Sequence, residues 1–538
     1  MASHEDLFRY TSGRWLLDEQ HQLTLRYQQF NVDALKSVIA SSTQASGVTS
    51  IRKLAEGRCN KVLHVQLTDS APVIARIPTP LSGPPHLVTA SEVATMDFLR
   101  NRLGLTQVPR VIAWSSRSDT PVGAEYIIMD VADGVELHSV WHKLTMKQKL
   151  RLLHQWIKFE STIVKAFSCG NGYGSLYYRK DVPAENARDV FVNGQTDEQF
   201  VLGPSTLQTG FWEDRYGSPK EIKIDSGPWP DVPSYLQSIS HSERAWIRQF
   251  ANPPPTNGRT FVAPWEVPPH LQIPENHLRL LDQYDSVAKY FIPPDERLHR
   301  PTFTLRDSNQ GNIFLSREAL ERDGTIEISA VIDWQHTAIL PLYLTALVPR
   351  FIEQAELGPG QAEEELLKEK AYLRKAYHAL YQDTGYDVVW ASSLSFGDKF
   401  SMSQQLPAAA QFCWHGGYVK LNRLLIRAAA EWEHIVGPGI HCPLGSEPFS
   451  KKVVAQAEED ERMWMEMEDA RENIERALGV ENDGWVCNED YERAIGANEA
   501  LRTSWIDNMG EEEKQKLGGV VDPAEIWPFQ GQAKSHRT

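Results

Sequence analysis

The sequence predicts an α+β fold of two lobes: a small antiparallel sheet, then a mainly helical body that ends in a helical C-terminal extension. Three observations carry this. Short alternating segments begin at about residue 51, helical periodicity takes over beyond "ADG" (132 to 134), and after residue 341 the pattern stays helical to the end.

The strands come first. "IRKLAEG", "KVLHVQL" and "PVIARI" are separated by turn-forming stretches, Gly57 to Asn60 and "TDSA". "HLVTASEVATMDFLRNRLG" then places Val88, Glu92, Met96, Leu99 and Leu103 on one helical face, with Gly104 as its stop. "VPRVIAW" and "AEYIIMDV" return to strand character, so the order is three strands, a helix and two strands. Beyond residue 132, Met146, Leu150, Leu153 and Ile157 recur at helical spacing after a candidate cap, Thr145. Residues 170 to 300 are irregular and hold "NPPPTNG", but Trp212, Trp229, Trp246 and Trp265 argue for a folded insertion, because disordered linkers are poor in aromatics. Strand signals reappear at 302 to 333, where Phe303 alternates with Leu305, followed by Ile313 with Leu315 and by Ile326, Ile328, Ala330 and Ile332. In the tail, Met463, Met467, Ala470, Ile474 and Leu478 form one stripe, which is expected to pack back on the helical lobe. The resulting division is 1–50 as an N-terminal extension, 51–132 as the sheet lobe, 133–450 as the helical lobe with the insertion at about 170–300, and 451–538 as the C-terminal extension.

Composition narrows the function. A chain of 538 residues exceeds one compact core, and its 41% apolar content can fill several. With 55 Lys+Arg against 71 Asp+Glu, the net charge of −16 disfavours nucleic acid as a partner, since readers of a phosphate backbone need a basic field. The five cysteines, Cys59, Cys169, Cys413, Cys442 and Cys487, form no C-x-x-C pair and fit a reducing compartment. No apolar run approaches the roughly 20 residues of a membrane span. Glu5 and Asp6 near the start argue against a signal or transit peptide.

Candidate chemistry sits at Asp307, Asn312 and Asp333. The first two bracket a polar turn between strand-like flanks, and Asp333 ends the next strand in "AVIDWQH". If those strands pair, two carboxylates and an amide oxygen come together, a set suited to Mg²⁺ completed by substrate phosphates. The competing reading is that Asp307 and Asn312 are ordinary turn residues. Glu92 on an apolar helix face and Arg76 inside the apolar strand "VIARI" each need an opposite charge, and the two elements are neighbours in the order. Either side chain could instead snorkel to water. Gly57 sits where backbone amides could approach phosphates, or is simply a hairpin glycine.

Together, the first-hairpin Gly57, Arg76, Glu92, "IIMDVADG", the D-x-x-x-x-N of Asp307 to Asn312 and "IDWQH" resemble the protein-kinase-like fold in its aminoglycoside phosphotransferase and choline kinase branch. "LFRYTSGRWL", "FNVDAL", "KLAEGRCNKV", "SEVATMDFLR", "SLYY", "DWQHTAILPL" and "WPF" further resemble the altered inheritance of mitochondria protein 9 family across nearly the whole chain. The resemblance implies ATP as co-substrate with Mg²⁺, and transfer to the hydroxyl of a small-molecule acceptor. It gives Asp307 the role of base, Asn312 and Asp333 the metal, Arg76 (paired with Glu92) and Gly57 the phosphates, and Met129, Asp130, Val131 and Ala132 the adenine hinge. Composition points to an intracellular location, cytoplasmic or mitochondrial, the mitochondrial option resting on the family resemblance alone.

Three positions depart from that branch. Leu305 stands where a histidine is usual, Arg76 where lysine is usual, and Arg58 follows Gly57 where a second glycine is common. They keep a second reading open, a nucleotide-binding pseudokinase that acts through protein contacts.

Overall fold

A computed structural model describes residues 4–167, 171–192, 194–207, 224–251, 273–305, 307–358, 360–381, 387–445, 449–508 and 527–529. Trp212, Trp265, Cys169 and "NPPPTNG" lie outside them.

Strands β1 (Val48–Glu56), β2 (Asn60–Leu67), β3 (Val73–Pro78), β4 (Val111–Ser115) and β5 (Tyr126–Asp130) form one antiparallel sheet in the order β1-β2-β3-β5-β4. Alternation along β2 sends Leu63, Val65 and Leu67 to the outer face and leaves Val62 facing the cleft. The outer face is covered by the first 50 residues: Leu35 and Ile39 of helix α1 (Val32–Thr43), with Leu7, Phe8 and Phe30, pack on Leu63, Val65 and Ala75. Asn31 caps that helix, accepting from Ala34 N at 3.0 Å. What reads in sequence as a leading extension is therefore a layer packed on the sheet.

Helix α2 (Leu87–Asp97) continues as a π-turn over Phe98–Arg102. It is buried on every side from Val88 to Met96, not only on the expected face, because Tyr177 and Val201 pack against Ala90 on its far side. Those two residues belong to a three-stranded sheet of β6 (Ser175–Tyr178), β7 (Arg188–Val192) and β8 (Gln195–Gly203), the front of the predicted insertion.

The helical lobe opens with α3 (Met146–Val164), capped by the Thr145/Gln148 box. Its buried face runs through Leu152, Leu153, Trp156, Ile157 and Phe159, and the expected Met146 and Leu150 are only half-buried at its edge. Helices α4 (Val232–Phe250) and α5 (Pro274–Ala288) carry Trp246 and Tyr284 into the same core. Trp229 is 2% exposed, packs on Tyr235, and donates its indole N–H to Asp225 at 3.1 Å. It does not line the cleft, so its substitution would unsettle the core.

Glu160 also lies on the buried face of α3. It accepts from the hydroxyl of Tyr377, on α6 (Glu363–Leu380), at 2.9 Å and from that of Tyr381. Burial pushes its carboxyl up to about 7. The folded state therefore keeps this proton up to higher pH than the unfolded chain does, so stability falls as pH climbs from the ordinary glutamate range through about 7. Glu160→Gln keeps the acceptor oxygen and should flatten that fall by on the order of 2–3 kcal/mol between pH 5 and 8. Urea denaturation at the two pH values checks this, and an unchanged slope would refute it.

Between the two lobes run β9 (Pro301–Phe303), β10 (Ile313–Leu315), β11 (Ile328–Val331) and β12 (Ile339–Pro341). β9 pairs with β12, and β10 pairs with β11 and with Val135–Glu136 just past the hinge. The first of these strands ends at Phe303, so Leu305 belongs to the following loop. Gly134 is required at the crossing: with φ 120°, an added Cβ would sit 2.3 Å from the Leu315 carbonyl oxygen.

Helices α7 (Asp387–Gln411) and α8 (Tyr418–Ala430) complete the lobe, and α9 (Lys451–Leu478) lies along α8, where Arg423 donates to Glu461 at 2.9 Å. The tail stripe divides. Met463 and Met467 are half-buried and Ala470 is exposed, while Ile474 and Leu478 join a separate cluster with Leu16, Tyr491, Trp527 and Phe529. Arg14–Trp15 pairs with Trp485–Val486, and Asn488 donates to the Thr11 carbonyl at 2.8 Å. Thr11 in turn donates its hydroxyl to Glu56 at the tip of β1, at 2.8 Å. The tail thus runs from the helical lobe to the first hairpin. Truncation at residue 450 should uncover both apolar surfaces and cause aggregation, visible by size exclusion. A soluble product with an unchanged melting temperature would refute this. Among the described residues no helix is long and apolar enough to cross a membrane.

Candidate active site

A cleft of about 780 Å³ lies between the sheet lobe and the helical lobe. Every candidate site residue lines it: Gly57, Arg76 and Glu92 from the sheet side, Met129 to Ala132 at the hinge, and Asp307, Asn312 and Asp333 from below.

Arg76 is the junction. On β3 it stands opposite Val62 and Ile127, and its guanidinium points into the cleft. It pairs with Glu92, and its Nη2 donates to Asp333 Oδ1 at 2.7 Å and to Gln335 Oε1 at 2.8 Å. Only a planar fork can hold these partners together. Burial acts to lower the Arg76 pKa, but Glu92 and Asp333 outweigh it and the net shift is upward. Burial raises the Glu92 carboxyl, with Arg76 opposing.

Asp333 follows β11, whose pairing sets Ile313 opposite Val331 and lets Ile332 N donate to the Asn312 carbonyl at 3.0 Å. The strand pairing inferred from sequence thus brings Asn312 beside Asp333. Asp333 (φ 63°) and His336 (φ 59°) both hold left-handed backbone, a strained turn that aims the carboxylate at the cleft. Burial pushes the His336 imidazole down to about 4, so it is neutral, and Nδ1 lies 2.8 Å from the Thr206 carbonyl oxygen.

Asp307 is held by two amides. Asn309 Nδ2 donates to Oδ1 at 2.8 Å and Asn312 Nδ2 to Oδ2 at 2.9 Å. Burial and the nearby Asp333 raise its pKa, against those hydrogen bonds and Arg350. The loop is tied down behind: Arg350 N donates to Ser308 Oγ at 3.0 Å, Phe351 N to the Ser308 carbonyl at 2.8 Å, and Gln310 Nε2 to the Phe351 carbonyl at 2.9 Å. Leu305 is half-buried, packs on the main core and lines the cleft.

Among the described residues, no group of three or more His, Cys, Asp or Glu could hold a metal alone. The donor set still fits Mg²⁺. The Asn312 amide nitrogen and Asp333 Oδ1 are engaged within the protein, which leaves Asn312 Oδ1 and Asp333 Oδ2 as two hard oxygens for an ion otherwise bound by phosphates and water. At Gly57, an added Cβ would meet open space, so room remains above the hairpin. Sequence reading missed Gln335, Asn309, Ser308 and Arg350. Gln335, which also accepts from Asn60 at 2.6 Å, was signalled only by its place in "IDWQH".

A five-stranded antiparallel sheet lobe over a helical lobe, with a charged cleft at the junction, is the two-lobed α+β architecture expected from the sequence. The chain is 30% identical over 530 residues to a subtelomeric hrmA-associated cluster protein of Aspergillus fumigatus, covering 90% of this chain and 97% of that one. It is 24% identical over 443 residues to altered inheritance of mitochondria protein 9, mitochondrial, of Candida albicans, covering 72% and 68%. The chain belongs to the family that joins these proteins. No protein-family model matches it. Among solved structures, the ADP-bound aminoglycoside phosphotransferase APH(2″)-Ib aligns with 72% of this chain and 95% of its own at 10% identity and TM-score 0.36.

Proposed function

We propose that this protein is an ATP- and Mg²⁺-dependent phosphotransferase that acts on the hydroxyl of a small molecule. The observation that carries the reading is the meeting, in one cleft, of the Arg76–Glu92 pair, Asp333 and the Asp307–Asn312 loop. Met129 to Ala132 would receive the adenine. Gly57 and Arg76 would face the phosphates. Held by Asn312 and Asp333, Mg²⁺ would supply positive charge between the nucleotide phosphates. Asp307 takes the proton of the acceptor hydroxyl as its oxygen bonds to the γ-phosphorus and the bond to the β-phosphate oxygen breaks, releasing ADP. Its raised pKa suits that duty, and the two amides fix the carboxylate.

Residues 51–132 would serve as the nucleotide lobe and 133–450 as the acceptor lobe, flanked by the two extensions. The mitochondrial relatives favour mitochondria over cytoplasm as the compartment. One observation favours the pseudokinase reading: Arg76 occupies Asp333 Oδ1, an oxygen a metal would otherwise share.

The test is ligand-linked stability. Mg·ATP at about 100 times its Kd should stabilise the protein by about 2.7 kcal/mol. Asp333→Ala should lose most of the corresponding melting shift. Equal shifts in parent and variant would exclude the site.

A further inference from the structure

The geometry points to Arg350 as the residue that selects the acceptor: it would grip a phosphate or carboxylate on the molecule whose hydroxyl meets Asp307. This rests on the phosphotransferase reading above and adds a substrate class to it.

Arg350 follows Pro349 on the chain segment that anchors the Asp307 loop, and it lines the cleft. Its backbone is fixed by Ser308, so the base of the side chain is placed with the same firmness as Asp307 itself. The guanidinium is not. Its nearest approach to an acid is Nη1 to Asp307 Oδ1 at 3.7 Å, beyond hydrogen-bond range, and the side chain is half exposed. Among the described residues, no hydrogen bond from that guanidinium is formed. Its neighbour Glu353 is already engaged by Arg374.

Nor does Asp307 need Arg350, since Asn309 and Asn312 each donate to one of its oxygens. A substrate anion can therefore turn the guanidinium toward itself. The fork of Arg matches phosphate or carboxylate through two parallel hydrogen bonds. A neutral polyol gains nothing from it, and an amine-rich acceptor is repelled. With Nη1 3.7 Å from Asp307 Oδ1 and hydrogen bonds of about 2.8 Å at each end, the acceptor hydroxyl and its anionic oxygen would lie within roughly 9 Å of each other at the present side-chain position. Hydroxy acids and sugar or polyol phosphates meet that limit.

The experiment uses the full chain saturated with Mg²⁺ and a non-hydrolysable ATP analogue. Matched probes are titrated by calorimetry: glycerol 3-phosphate against glycerol, glucose 6-phosphate against glucose, glycerate, and kanamycin as a polycation. The expected result is that at least one anionic probe binds while its neutral partner and kanamycin do not. Arg350→Met, which keeps the apolar stem, should weaken that binding at least tenfold, and Arg350→Lys should weaken it less. Binding of neutral or cationic probes as tight as the anions, failure of every anionic probe, or an Arg350→Met variant that binds like the parent would each overturn the assignment. If the variant instead loses affinity for the nucleotide analogue, Arg350 serves the γ-phosphate and the acceptor assignment falls. Because nucleotide binding is measured first and depends on Asp333, failure of the phosphotransferase reading appears at that earlier step.

Discussion

Asp307→Asn is expected to reduce phosphoryl transfer at least a hundredfold while nucleotide binding holds. In the proposed mechanism the Asp307 carboxylate takes the hydroxyl proton, and a positioned general base contributes roughly 10²–10⁴-fold. Asparagine matches its shape but offers no basic oxygen pair, and its own NH₂ would face one of the two donors, Asn309 or Asn312, that now hold Asp307. The departure at Leu305 should matter far less. Loop geometry here is secured by Ser308 and Gln310, bonded to the Arg350–Phe351 segment, and Leu305 adds packing from a half-buried position. Leu305→His should therefore leave activity similar or higher. Product formation from Mg·ATP with an accepted anionic alcohol decides both. An Asp307→Asn enzyme as fast as the parent would exclude catalysis at this loop and favour the pseudokinase.

The parts of this site that were legible in sequence are those where physical need is local. Arg76 and Glu92 each announced a partner because an apolar neighbourhood makes a lone charge costly. Asp307, Asn312 and Asp333 announced proximity through strand lengths, and β10 with β11 supplied the expected pairing. What stayed hidden depends on distant chain segments. Nothing near Arg350 in sequence says that it meets Ser308, and nothing in the first 50 residues says that Leu35 and Ile39 cover the sheet. Trp229 shows the same division: an aromatic in an irregular stretch signals a folded segment but not which part of the core it closes. The methionine stripe of the tail has helical periodicity without a full partner, because α8 takes the front of α9 and the cluster of Leu16 with Tyr491, Trp527 and Phe529 takes its end.

Arg76→Ala should have the largest effect on stability. Removing the guanidinium leaves Glu92, 3% exposed, without its counter-charge and facing Asp333, and breaking such a buried pair by deleting one partner costs roughly 3–5 kcal/mol. Glu92 would respond by holding a proton to higher pH, since burial already pushes its carboxyl up and Arg76 is what opposes that push. The loss should accordingly be smaller at pH 5, where the variant can neutralise Glu92, than at pH 8, where it cannot do so without a further penalty. Arg76→Lys restores a charge but not the fork, so one ammonium cannot serve Glu92, Asp333 and Gln335 together, and an intermediate loss is expected. Adding Glu92→Gln to Arg76→Ala should recover part of the stability by removing the stranded charge, with no recovery of the Mg·ATP melting shift if Arg76 also faces the phosphates. Urea denaturation of the parent, the two single variants and the double variant at pH 5 and pH 8 separates these contributions. An Arg76→Ala midpoint close to the parent at pH 8 would mean that the pair carries little of the fold, and that its place in the cleft reflects ligand binding alone.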